Sequence, residues 1–65
     1  MTIEEKSKRV SDWLYMNREI ANQSNLAEII GVPQGVLSAS IRLERFDRTL
    51  TKAIDFIEGR GRQNG

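Results

Sequence analysis

Apolar and polar residues recur along most of the chain with the period of an α-helix, and no segment alternates with the period of a strand. Thr2 and Glu5 have the spacing of a capping box, a reciprocal hydrogen-bonding pattern that starts helices. The apolar residues that follow lie within one helical stripe: Ile3, Val10, Trp13 and Leu14. These features predict a first helix over residues 3–16.

The second predicted helix covers residues 23–30 and ends at a glycine. Residues 17–22 interrupt the first stripe and end in Asn22, a residue type that caps helix starts, so we expect a connection there. Ile20 is expected to insert into the core. The apolar residues of the helix are Leu26, Ala27, Ile29 and Ile30. Gly31 then offers the left-handed conformation that ends helices.

Two more helices are predicted in the second half of the chain. Pro33 suits the first position of a third helix, where its missing N–H would have no partner in any case. An apolar pair at i, i+4 spacing follows, consisting of Leu37 and Ile41. Asp47 is the expected cap of a fourth helix over residues 48–58, which Gly59 stops. The apolar stripe of that helix consists of Leu50, Ala53, Ile54 and Ile57.

The predicted fold is therefore all-α, a compact bundle of about four short helices over residues 1–59. Residues 60–65 contain no apolar side chain, and we expect them to form a flexible basic tail. The net charge is +1, but residues 1–33 hold four basic and five acidic groups, whereas residues 34–65 hold six basic and four acidic groups. The second half is the basic half.

Composition narrows the chemistry that the chain can perform. It contains no cysteine and no histidine, which excludes thiol catalysis, disulfides, zinc fingers and imidazole acid–base chemistry. The carboxylates are spread over exposed helix faces, so we expect no enzyme, no cofactor and no metal. No apolar run approaches the ~20 residues that cross a bilayer, and the charged N-terminus lacks the apolar region of a secretory signal. We expect a cytoplasmic protein.

The segment around Gly31 has the residue types of a helix-turn-helix. Such a motif needs a small residue where its helices cross, a glycine in the turn, and apolar residues that hold the angle between the helices. Ala27 is the small residue, Gly31 follows four positions later, and Leu37 follows ten positions after Ala27. The inward-facing apolar residues are Leu26, Ile30 and Val32.

This spacing resembles that of the phage repressor and Cro family of DNA-binding proteins. The family pattern begins with a glutamine four positions before the alanine and has another at the start of the recognition helix; Gln23 and Gln34 match both. The resemblance covers residues 23–42 in detail. Two departures are Ser40, where the family usually has an apolar residue, and Pro33, where it often has Ser or Thr.

The resemblance implies that the third helix enters the major groove of duplex DNA. The side chains that would face the bases are Gln34, Gly35, Ser38, Ala39 and Arg42. Glutamine pairs with adenine, arginine with guanine, and alanine contacts the thymine methyl group. Gln34 and Arg42 are the main base-reading candidates, and the small residues permit close approach.

Other residues are candidates for contacts with the DNA backbone. By the same resemblance, Gln23 would contact phosphate and brace Gln34, and amides near Asn22 would add positioning hydrogen bonds. Weaker phosphate candidates are Arg18, Arg45, Arg48 and Lys52. The last three alternate with acidic residues, so a solvated, ion-paired face is an equal interpretation for them.

A partner surface is the remaining prediction. Phe56 lies off the apolar stripe of the fourth helix, and Tyr15 and Met16 lie off that of the first. This excess apolar surface suggests a symmetric dimer through the fourth helix, which would present two recognition helices about 34 Å apart on DNA. A monomer with Phe56 buried is the alternative.

The most probable function on these grounds is that of a sequence-specific double-stranded DNA-binding regulator, a Cro-like repressor in a phage or bacterial setting. A DNA-bending recombination accessory factor belongs to the same class. The alternative from another class is a protein-interaction adaptor, in which Phe56, Tyr15 and Met16 would form the docking surface.

Overall fold

The computed structural model describes residues 1–59, and this range contains four α-helices and no strand. They are α1 (Ile3–Met16), α2 (Gln23–Ile30), α3 (Gln34–Leu43) and α4 (Asp47–Ile57). The predicted small all-α bundle is confirmed. Within the described range no helix has both the length and the apolar character needed to cross a membrane. The predicted basic tail, residues 60–65, lies outside the described residues.

Reciprocal caps start the first two helices where the sequence predicts them. The Thr2 N–H donates to Glu5 Oε1 at 2.7 Å, and the Glu5 N–H donates to Thr2 Oγ1 at 3.1 Å. The hydrogen bond from the Thr2 backbone lowers the pKa of Glu5. Asn22 caps α2 in the same way, because its side chain accepts from the Asn25 N–H at 2.9 Å and the Asn25 side chain returns the bond at 3.0 Å.

The connection between α2 and α3 consists of the three residues 31–33. Gly31 adopts the predicted left-handed conformation, with φ of 76°. The Val32 N–H then donates to the Ala27 carbonyl at 3.0 Å, which closes the turn. Pro33 is the residue before α3 rather than its first helical residue, since its ψ of 143° is extended.

Two predictions about the connections are wrong. Asp47 does not cap α4; it is the first residue of the helix, and Phe46 before it is left-handed, with φ of 57° and no capping side chain. The Asp47 carboxylate instead accepts a hydrogen bond from the Lys6 ammonium at 2.8 Å. Ile20 does not enter the core, since it is 82% exposed. It lies between two helices whose own stripes already fill the interior.

All four helices contribute to one core. Its buried apolar side chains are Val10, Leu26, Ala27, Leu37, Leu50, Ala53 and Ile54. Trp13 and Phe56 pack against this core from one side, with ring centroids 5.9 Å apart in an edge-on arrangement. The core thus brings the last turns of α1 and α4 together.

Polar side chains of α1 fix the positions of α3 and α4. The Lys6 ammonium, which lies 18% exposed, donates to Asp47 at 2.8 Å and to the Thr51 hydroxyl at 2.9 Å. The buried Ser7 hydroxyl donates to the Ile41 carbonyl at 2.7 Å. That carbonyl is one of the last four of α3, which have no acceptor role within the helix. Ser7 therefore satisfies an otherwise unpaired buried group.

The two buried serines give a matched test of this arrangement. Ser7→Ala leaves the Ile41 carbonyl without its donor and is expected to lower the free energy of unfolding by about 1–2 kcal/mol. Ser40→Ala removes a hydroxyl that donates to the Val36 carbonyl at 2.7 Å, a group that keeps its helical bond, so a change within about 0.5 kcal/mol is expected. Urea titrations of both variants check the difference; equal losses would contradict it.

Candidate nucleic-acid interface

Helices α2 and α3 form a two-helix unit whose inner side belongs to the core. Leu26, Ala27 and Leu37 are buried, with at most 2% of their surface exposed. Ile30 and Val32 are half-buried and pack against the same cluster. Every residue that the sequence predicts to hold the two helices together therefore contacts or borders the core.

The side of α3 opposite the core carries the predicted base-reading residues. Since successive residues of a helix are 100° apart, the five positions fall on the face opposite buried Leu37 and Ser40. The exposed members of this outward face are Gln34, Gly35 and Arg42. The half-buried members are Ser38 and Ala39, although the sequence predicts them to be exposed. Their side chains are short, so they lie close to the helix surface.

Ser40 keeps α3 in the rotation that the family pattern implies. It is fully buried at the position where the family has an apolar residue, and its hydroxyl is satisfied by the Val36 carbonyl. Ile41 beside it is half-buried. A serine can replace the apolar residue here because its one polar group bonds within its own helix.

A glutamine pair joins the starts of α2 and α3. The Gln34 side-chain amide donates to the Gln23 Oε1 at 3.4 Å, a long hydrogen bond across the turn. Gln23 is half-buried, whereas Gln34 is exposed on the outward face. The contact that the resemblance implies between these two residues is therefore present.

The outward face of α3 has a simple electrostatic character. Arg42 is the one charged residue of this helix, and α3 contains no carboxylate. No side chain caps its N-terminus, where Pro33 accepts from the N–H groups of Val36 and Leu37 at 3.0 and 3.1 Å. A polyanion that approached this face would meet one positive charge and no negative charge from α3.

The predicted phosphate-contacting residues are only partly brought to this unit. Asn22 lies at the start of α2, and its side-chain oxygen is occupied by the Asn25 N–H. Arg18 is directed elsewhere: its guanidinium lies 4.3 Å from the centre of the Tyr15 ring and donates to the Tyr15 carbonyl at 2.8 Å. The other three basic candidates, all exposed at or beyond the end of α3, are Arg45, Arg48 and Lys52.

Phe56 is less available to a partner than the sequence suggests, because it is half-buried against Trp13. A dimer through this residue stays a prediction. The most exposed large apolar side chains after residue 1 are Tyr15 (64%), Met16 (76%) and Ile20 (82%). Sequence reasoning identified the first two from their position off the stripe and missed Ile20, because it assigned that residue to the core.

Within residues 1–59 no three acidic side chains come close enough together to hold a metal ion. No protein-family model, curated protein or solved structure matches the chain. The functional interpretation therefore depends on the geometry of α2 and α3 and on the residues of the outward face.

Two glycines beside this face test whether it is built for stability. An added Cβ would meet nothing within 4 Å at either Gly31 or Gly35, but only Gly31 has positive φ. Gly31→Ala is expected to destabilise the fold by about 1–2 kcal/mol. Gly35→Ala is expected to stabilise it by up to about 1 kcal/mol, because alanine favours the helix. Thermal unfolding of both variants checks the opposite signs; two destabilised variants would contradict the prediction.

Proposed function

We propose that this protein binds duplex DNA sequence-specifically through the outward face of α3 and acts as a transcriptional regulator, in the manner of a Cro-like repressor. The observation that carries the proposal is the face itself: small residues flanked by Gln34 and Arg42, with Gln34 braced by Gln23. This combination offers hydrogen-bonding groups at both ends and close approach between them.

The dimensions of α3 suit the major groove. Eight residues separate Gln34 from Arg42, which corresponds to about 12 Å along a helix axis and about four base pairs of DNA. Both side chains lie on one face, so one helix can contact bases at both ends of such a stretch. Gly35, Ser38 and Ala39 add little bulk between them, and a groove about 12 Å wide accepts a helix of this kind.

Contacts to the DNA backbone would fix the position of α3. In this proposal Gln23 and the first amides of α2 contact one phosphate, since the leading N–H groups of a helix have no partner within it. Arg45, Arg48 and Lys52 follow α3 along the chain and contribute charge that depends on salt concentration. Arg18 contributes least, since it stacks on Tyr15.

Regulation would follow from occupancy of the site. A protein bound at a promoter blocks the polymerase, and its concentration then sets the degree of repression. This places the protein where bacterial or phage DNA lies, in the cytoplasm. A recombination accessory factor would use the same DNA-binding surface.

Selection from a randomised duplex pool at about 150 mM salt tests sequence-specific binding. We expect an enriched motif. Gln34→Ala and Arg42→Ala should each relax one part of it, with a loss of about 1–3 kcal/mol for the preferred base. Lys8→Ala, on the exposed surface of α1, is the control and should leave the motif unchanged. If no motif is enriched, or if the paired variant keeps it, the adaptor alternative replaces this proposal.

Gly35→Ala separates the DNA surface from the fold. The added methyl group lies on the outward face in open space, so the variant should unfold at a higher temperature than the parent protein. Its affinity for the selected duplex should nevertheless fall by at least about tenfold, because the methyl group holds α3 away from the bases. Fluorescence anisotropy measures the affinity. Unchanged affinity would show that α3 does not approach DNA closely at this position.

A further inference from the structure

The most exposed apolar side chains after residue 1 occur close together at the end of α1 and in the connection that follows. Tyr15 and Met16 end α1, and Ile20 lies in the connection, with exposures of 64%, 76% and 82%. We call these three residues the α1-end patch. Single exposed apolar residues are common on proteins, but a contiguous group marks an interaction surface.

The α1-end patch borders a concave surface. Residues 16–20 line a concavity of about 270 Å³. Hydrogen bonds hold its shape: the Asn17 side chain donates to the Trp13 carbonyl at 2.8 Å, and the Ile20 N–H donates to the Asn17 carbonyl at 2.9 Å. Arg18 stacks on Tyr15 beside it. A surface that is already ordered loses little entropy when a partner binds.

The charges beside the patch are self-complementary. Arg18 and Glu19 are adjacent, exposed and of opposite sign. In an interface with two-fold symmetry each residue can face a different residue of the second copy, so an Arg–Glu pair in one copy matches the same pair in the other. A strongly charged partner would match only one of the two residues. The charge pattern therefore favours a second copy of this chain.

We infer that two copies of this protein associate through the α1-end patch, with Arg18 of each copy facing Glu19 of the other. The apolar side chains of the patch become buried between the copies. This interface differs from one through Phe56, whose ring already packs on Trp13. The inference does not depend on DNA binding, and it uses no residue of the outward face of α3.

Sedimentation equilibrium from about 10 µM to about 1 mM tests the association. The parent protein should form a dimer in this range, and Ile20→Ser should raise its dissociation constant by at least about tenfold, since both copies lose the apolar side chain. Ile29→Ser is the matched control, because Ile29 is 56% exposed on α2 outside the patch. Circular dichroism confirms that both variants are folded. A monomer at every concentration, or equal effects of the two substitutions, would overturn the inference and leave the patch to a different protein.

A charge exchange tests the orientation of the two copies. Arg18→Glu places two carboxylates opposite each other and should weaken the dimer by about threefold to tenfold at low salt. Combining Arg18→Glu with Glu19→Arg restores opposite charges across the two-fold axis and should recover most of the loss. If the double variant is as weak as the single one, the proposed pairing is wrong.

Discussion

The left-handed turn at Gly31 is the constraint on which the rest of the structure depends. With φ of 76° it ends α2 and lets the chain reverse within three residues. Ala27 and Leu37, on the two sides of the turn, can then both reach the same core. Because their burial determines the rotation of each helix, the turn also determines which residues of α3 remain on the outside.

Helix α1 acts as the support for this arrangement. Its Ser7 hydroxyl holds the end of α3 at the Ile41 carbonyl, and its Lys6 ammonium holds the start of α4 at Asp47 and Thr51. These bonds join residues 34 to 45 positions apart in the chain. They fix both ends of the connection between α3 and α4, where Glu44 and Phe46 adopt the left-handed conformation without being glycine. Tertiary contacts therefore hold a connection that local preference does not favour.

The sequence predicts the parts of the fold that local chemistry controls. The bounds of α1 and α2 follow from the caps at Thr2 and Asn22 and from Gly31, and all three act as expected. The start of α4 was mispredicted because no local signal marks a left-handed Phe46, and the Lys6–Asp47 pair spans 41 positions. For the candidate site, the resemblance anticipated the contact between Gln23 and Gln34. The partial burial of Ser38 and Ala39 depends on neighbouring side chains, which periodicity does not describe.

The outward face of α3 consists of residues that the fold does not require. Gly35 contacts nothing within 4 Å of an added Cβ and weakens the helix, while the exposed Gln34 makes one long hydrogen bond of 3.4 Å. Positions of this kind usually hold residues that favour a helix and water, such as alanine, lysine or glutamate. Here they hold small and amide side chains instead. A surface that gives up helix stability for a flat approach, next to groups that pair with bases, is better explained by contact with DNA than by folding.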